Sequence, residues 1–198
     1  MTGATPGFGA VLSGLVLAAA FGLLYQRRAG GLINACALQA WALAAAAAWQ
    51  GVAWEAPELI VVGCLVLAAN GVALPMALRR GARRAGIGPS VVAMPGIPVS
   101  LLTAAALVAL AVLASATMAS PAQARGEIAV DLSVVLLGLF TLASRRGGPG
   151  EAVGFAATAN GLILGMVEVR GMPLVALWTL AVLALGGAAM LRPGGQLR

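Results

Sequence analysis

Residues 8–28 read FGAVLSGLVLAAAFGLLYQRR. From Phe8 to Tyr25 there is no charged side chain, and then Gln26-Arg27-Arg28 ends the apolar run. A helix of this length, at about 1.5 Å per residue, approaches the roughly 30 Å hydrocarbon core of a bilayer. The segment reads as a membrane span with basic charge at its far end. A cleavable signal peptide has the reverse order, with positive charge before the apolar stretch. Met1 to Pro6 has no basic side chain, so we expect an uncleaved first helix with the N-terminus outside.

The rest of the 198-residue chain repeats this pattern. Hydrophobic residues make up 61% and charged residues 9%, against about 45–50% and roughly 25% in soluble domains. Such a chain cannot cover a water-facing surface, which excludes a soluble enzyme. It is equally unlike a disordered chain, which is polar and charged. The sequence predicts an all-α polytopic membrane protein, one domain over 1–198, with seven transmembrane helices. The spans fall at about 8–25, 32–54, 58–78, 99–119, 128–144, 151–169 and 173–191. Ala56-Pro57-Glu58, Gly147-Gly148-Pro149-Gly150 and Gly171-Met172-Pro173 supply Pro and Gly breaks between them. The fifth span is the shortest expected crossing.

Arginine placement orients the bundle. With the N-terminus outside, Arg27, Arg28, Arg79, Arg80, Arg83, Arg84, Arg145, Arg146, Arg192 and Arg198 fall on the inner side. Only Arg125 and Arg170 fall outside. This is a strong positive-inside bias, and it places the C-terminus in the cytoplasm. The net charge of +6 is therefore a topology signal, not a nucleic-acid footprint, because the arginines are spread over several loops.

Missing residue types limit the chemistry. There is no His, and Cys36 and Cys64 lie far apart in apolar stretches with no metal-ligand spacing. A nucleophile–base pair needs a His or a buried carboxylate near a Ser or Cys, and the sequence points to neither, so we expect no catalysis, no cofactor and no metal in this chain.

The polar residues within the spans are few. Ionisable groups there are costly and mark function by default. Asp131 sits just inside the fifth span near its outer face. Glu168 and Arg170 close the sixth at headgroup level, and Glu151 opens it. All read as interfacial charges, with Asp131 the candidate for more. The amides Asn34, Gln39, Asn70 and Asn160 lie deeper and must find partners in hydrocarbon. They read as contacts between helices or as the lining of a polar path, and Asn70, Asp131 and Asn160 are the residues selected for that role. Gly161 and Gly165 form a G-x-x-x-G, which permits close helix contact. Trp54 suits the interfacial belt, while Trp41 and Trp49 face lipid or a partner.

Two segments carry a family resemblance. One runs from Gln39-Ala40 through Glu58-Leu59 to Leu74-Pro75-Met76. The other runs from Gly154-Phe155 through Asn160-Gly161 to Gly171-Met172-Pro173-Leu174-Val175. In these motifs and in layout over nearly the whole chain, the sequence resembles hydrogenase-4 component E, a membrane subunit of complex-I-related hydrogenases. Its last spans are also similar to the small subunit K of complex I and to a small subunit of multisubunit cation/proton antiporters. The resemblance implies a multi-pass place in a bacterial cytoplasmic (inner) membrane. The implied partners are the other membrane subunits of such an assembly, including antiporter-like subunits, and the lipid bilayer. The chain departs from the family at its ionisable positions. Ala159 stands where the family has Glu, Asn70 near a family Lys, and Leu177 and Leu183 near a family Glu and Asp. Those are the groups a membrane proton relay needs.

Two functions remain. The first is a non-catalytic subunit of a complex-I-related or hydrogenase-4-like ion-translocating redox complex, mainly a structural connector and without a complete proton path of its own. The second is an independent small transporter or channel.

Overall fold

The structure, a computed structural model, describes residues 6–84, 96–118, 121–145 and 149–168. These form six helices, each long and apolar enough to cross a membrane. We label them α1 (Pro6–Tyr25), α2 (Ala29–Ala53), α3 (Pro57–Arg84), α4 (Ile97–Ala116), α5 (Ala122–Ser144) and α6 (Pro149–Glu168). No strand occurs among the described residues. The expected seventh span, 173–191, and Arg192 and Arg198 lie outside them.

Local chemistry fixes most of the helix ends. Pro57 and Pro98 occupy first-turn positions, where the missing N–H is no loss. Between α2 and α3 the chain reverses in a tight turn, with Trp54 N–H donating to Gln50 and Ala56 N–H to Gly51. Glu55 takes φ 54°, the left-handed region. Gly51 lets α3 close over this turn, since a Cβ there would lie 2.7 Å from Ile60 Cγ1.

Two expected spans change. The third does not stop at Arg79-Arg80 but continues to Arg84, because Arg is a good helix former and no proline intervenes. The fifth begins at Ala122, directly after Pro121, and not at 128. With 23 residues it outlasts α1, α4 and α6, so it is not the shortest crossing, and Arg125 and Glu127 are helical.

α6 is the most enclosed helix, with 67% of its span buried, and α4 the least, with 17%. α6 packs on α5 and α2, α2 on α1 and α3, and α5 on α4 and α1. Apolar side chains fill two larger stacked clusters between them. One holds Val16, Leu43, Val62, Val66, Val134, Ile163 and Leu164. The other holds Leu23, Leu32, Cys36, Leu78, Val153 and Ala157. Ala20, Leu24, Ala104 and Leu137 form a smaller one where α1, α4 and α5 meet. Large apolar side chains such as Leu15, Leu38, Leu102 and Leu113 point outward, as a lipid-facing surface requires.

Charge separates along the bundle. The end where α1, α3 and α5 start carries Glu55, Glu58, Glu127, Asp131 and Glu168, with Arg125. The opposite end carries Arg27, Arg28, Arg79, Arg80, Arg83, Arg84 and Arg145, with Glu151. We call these the acidic end and the arginine end.

Candidate functional site

Polar side chains gather at three depths. The middle one is an amide layer. Asn70 Nδ2 donates to Asn160 Oδ1 at 2.8 Å, and Asn160 Nδ2 donates to Gln39 Oε1 at 3.4 Å. Gln39 and Asn160 are fully enclosed, and Asn70 is buried. Three helices, α2, α3 and α6, thus meet through one chain of amides. The apolar clusters lie on either side: Ile163, Leu43 and Val66 above, Ala157, Cys36 and Leu78 below. Gln39 Nε2 has no partner among the described residues.

Asn70 reaches this layer because α3 is irregular. Leu67–Ala73 is a π-helical turn, in which Leu74 N–H bonds Ala69, five residues back. Pro75 accounts for it. Proline has no N–H for the carbonyl four residues earlier and its ring crowds that carbonyl, here Gly71. The freed Gly71 oxygen accepts from Trp41 Nε1 at 3.2 Å. A side chain at 71 would block this, since a Cβ would lie 2.8 Å from Trp41 Cδ1. Trp41 therefore lies against lipid and also bonds a partner helix.

At the acidic end Asp131 and Glu168 hydrogen-bond to one another, with Glu127 close by. Ser13 Oγ, from α1, donates to Glu168 Oε1 at 2.6 Å. A carboxylate has no donor, so two carboxyl groups joined this way need a proton between them. Each also has an enclosed oxygen without a hydrogen-bond partner among the described residues, Asp131 Oδ1 and Glu168 Oε2. The pair borders a cavity of about 430 Å³ whose lining includes Glu127, Gly161 and Gly165 and is otherwise mostly apolar. Asp131 is thus not a lone interfacial charge, and Glu168 is more than a headgroup anchor. The two lie on different helices, and only the α5–α6 register brings them together.

That register is set by glycine. Along the seam Gly154 meets Leu142, Gly138 meets Thr158, Gly161 meets Val135 and Gly165 meets Asp131. Positions climb α6 in steps of four, three and four while descending α5 by the same steps, a seven-residue repeat. At Gly154 and Gly138 an added Cβ would strike the backbone of the opposite helix; at Gly161 it would lie 2.7 Å from Val135 N. Gly161 and Gly165 therefore do lie on a helix contact, as the G-x-x-x-G suggested. Gly138 has no such local signal, whereas the seven-residue spacing of Gly154 and Gly161 is visible in the sequence.

At the arginine end Arg145 is 2% exposed, so it is no ordinary loop charge. Its Nη2 donates to the carbonyls of Leu23, Leu24 and Gln26. The Leu23 and Leu24 oxygens are in the last turn of α1, at the negative end of its dipole, and Gln26 follows the helix. Burial lowers the Arg145 pKa from its ordinary value. Asn34 departs from expectation too: it is exposed and accepts from Arg79 Nη2 instead of joining the amide layer. Cys36 is buried, Cys64 is exposed, and the two are not bonded.

The chain matches no protein-family model, no curated protein and no solved structure.

Proposed function

We propose that this chain is a non-catalytic integral membrane subunit of a complex-I-related or hydrogenase-4-like ion-translocating redox complex. In this reading it is a helical connector beside antiporter-like subunits in a bacterial inner membrane. A seventh helix completes the bundle, with the N-terminus outside and the C-terminus cytoplasmic. The family resemblance supports the place. The carrying observation for the role is the separation of the two polar layers. Asn160 and Glu168 are eight residues apart on α6, about 12 Å. Between them lie Val134, Ile163, Leu164 and Val66, all fully enclosed. Among the described residues no carboxyl or basic group lies between the two layers to carry a proton inward from the Asp131–Glu168 pair; Ser133, buried at that depth, donates to the Ala129 carbonyl, and Cys64 is on the exposed face of α3. The amides beyond could orient water but cannot release a proton.

Two experiments test this. Solubilised gently, the chain should migrate with a large assembly; a stable isolated homo-oligomer that moves a solute across vesicles would defeat the proposal. In an assembled complex, Asp131→Asn should leave assembly intact, because the amide N–H can replace the shared proton toward Glu168. Ion pumping should change only modestly, and a complete loss of pumping would make Asp131 a channel residue. The second reading, an independent transporter, draws support from the π turn in α3 and the acid-lined cavity, since transporter sites combine interrupted helices with buried charge.

A further inference from the structure

The arginine end is built to meet a layer of negative charge. Helix α3 has 28 residues, hence a length of about 42 Å, against a hydrocarbon core of roughly 30 Å. The excess falls at its arginine end, where Arg79, Arg80, Arg83 and Arg84 are all exposed. Arg79 with Arg83, and Arg80 with Arg84, are four apart, a like-charge spacing that weakens a helix in isolation.

Other basic groups sit level with them. The Arg79–Asn34 hydrogen bond fixes the relative depth of α3 and α2. From Asn34, Arg28 lies about 9 Å further toward the arginine end; from Arg79, Arg84 lies about 7.5 Å further. Exposed Arg27 and Arg28 therefore share a depth with Arg83 and Arg84. None of these arginines forms an ion pair among the described residues. Glu151 is the one carboxylate at this end, and Arg145 is turned inward onto α1.

We propose that Arg27, Arg28, Arg80, Arg83 and Arg84 form a docking surface for the phosphate headgroups of anionic phospholipids, with the last turns of α3 lying in the headgroup layer. Phosphates between arginines four apart would turn the like-charge repulsion into bridging. Guanidinium groups suit this, because they bind phosphate through two parallel N–H donors. A lipid source is favoured because Arg27, Arg28, Arg83 and Arg84 share a depth and Arg80 lies within about 6 Å of it, all just past the apolar part of α3. Basic clusters immediately beside a membrane helix attract anionic lipid. The inference is independent of the connector role.

The test uses the full chain in vesicles of phosphatidylcholine alone or with phosphatidylglycerol added, compared with Arg80→Gln/Arg83→Gln/Arg84→Gln. Arg79 and Arg145 are left in place so that the bonds to Asn34 and α1 survive. After detergent extraction, phosphatidylglycerol should be retained by the parent at least about ten-fold over phosphatidylcholine, and the variant should lose most of that preference. Half-molar salt should reduce the enrichment in the parent. Equal retention of both lipids by the parent would overturn the proposal, and so would unchanged retention by a folded variant. If instead the surface captured only an acidic soluble protein, with no lipid preference, the lipid assignment would also fail.

Discussion

The α5–α6 seam and the π turn of α3, where it meets α2 and α6, join neighbouring helices by opposite means. Along the seam the two backbones nearly touch, and the polar groups sit at its margin. At the π turn of α3 the helix is interrupted and hydrogen bonds hold it, one donated by Asn70 and one accepted from Trp41 by the Gly71 carbonyl. Nearer the acidic end Gly63 brings α3 against the backbone of α2 in the manner of the seam, since a Cβ there would lie 2.8 Å from the Ala44 oxygen. Hydrocarbon explains why both work. Lipid tails are as apolar as the helices, so helix association relies on close packing or on hydrogen bonds. The seam uses the first, as α3 does at Gly63, and the π turn of α3 uses the second. Sequence changes should therefore act by steric conflict on one side and by unsatisfied polar atoms on the other.

The largest effect is expected at the seam. At Gly154 a Cβ would strike the backbone at Leu142, which cannot rotate away. Gly154→Ala should cost about 1–3 kcal/mol, the range for overpacking, and Gly154→Leu should prevent stable assembly of the bundle. Gly14 is the control, since nothing lies within 4 Å of a Cβ there. Gly14→Ala should be neutral or slightly stabilising, because Ala is the better helix former by about 1 kcal/mol. Unfolding by graded addition of SDS to protein in mild detergent measures all three. Equal stability of the Gly154→Leu and Gly14→Ala variants would mean the seam is not closed.

A smaller loss is expected at the amide layer. Asn160→Leu removes both hydrogen bonds and leaves Asn70 and Gln39 enclosed without it. Interhelical bonds of this kind are worth about 1–2 kcal/mol in peptides and nearer 0.6 in a folded membrane protein. The stability should fall by about 1 kcal/mol in the same titration. Asn34→Leu should change little, because Asn34 is exposed and its side chain bonds Arg79 alone among the described residues. A greater loss from Asn34→Leu would reverse the depth order drawn here.

These contrasts also show what the sequence could reveal. That Asn70 and Asn160 would find partners followed from solvation alone, since an amide in hydrocarbon has no alternative. Asn34 looked equivalent by residue type, but it lies near a helix end where an arginine can reach it. Gly161 was legible from its local spacing. Gly138 was not, because its significance lies in Thr158 on the next helix. The Asp131–Glu168 pair needed the register of two helices, which no spacing within one span contains. Arg145 looked like the other positive-inside arginines; only tertiary structure shows that it closes α1. The π turn did leave a trace, a glycine four residues before Pro75, the position whose carbonyl a proline strands.

The smallest effect separates the two uses of Trp41. The indole is 56% exposed and so belongs mainly to the lipid face, yet its N–H meets the carbonyl that Pro75 leaves free. Trp41→Phe keeps the apolar ring and removes the donor. The Gly71 oxygen would then face hydrocarbon with one donor fewer, and the loss should be about 0.5–1 kcal/mol, a net hydrogen bond. Pro75→Ala supplies a rival donor, because the restored N–H can bond Gly71 within α3. In that background Trp41→Phe should cost less, and the double-mutant cycle should show coupling of about 0.5 kcal/mol. Residues 41 and 75 would then be linked only through the carbonyl of Gly71. Strict additivity would mean that Trp41 acts as a lipid-facing ring alone, and that the break in α3 is held by the Asn70–Asn160 bond without help from α2.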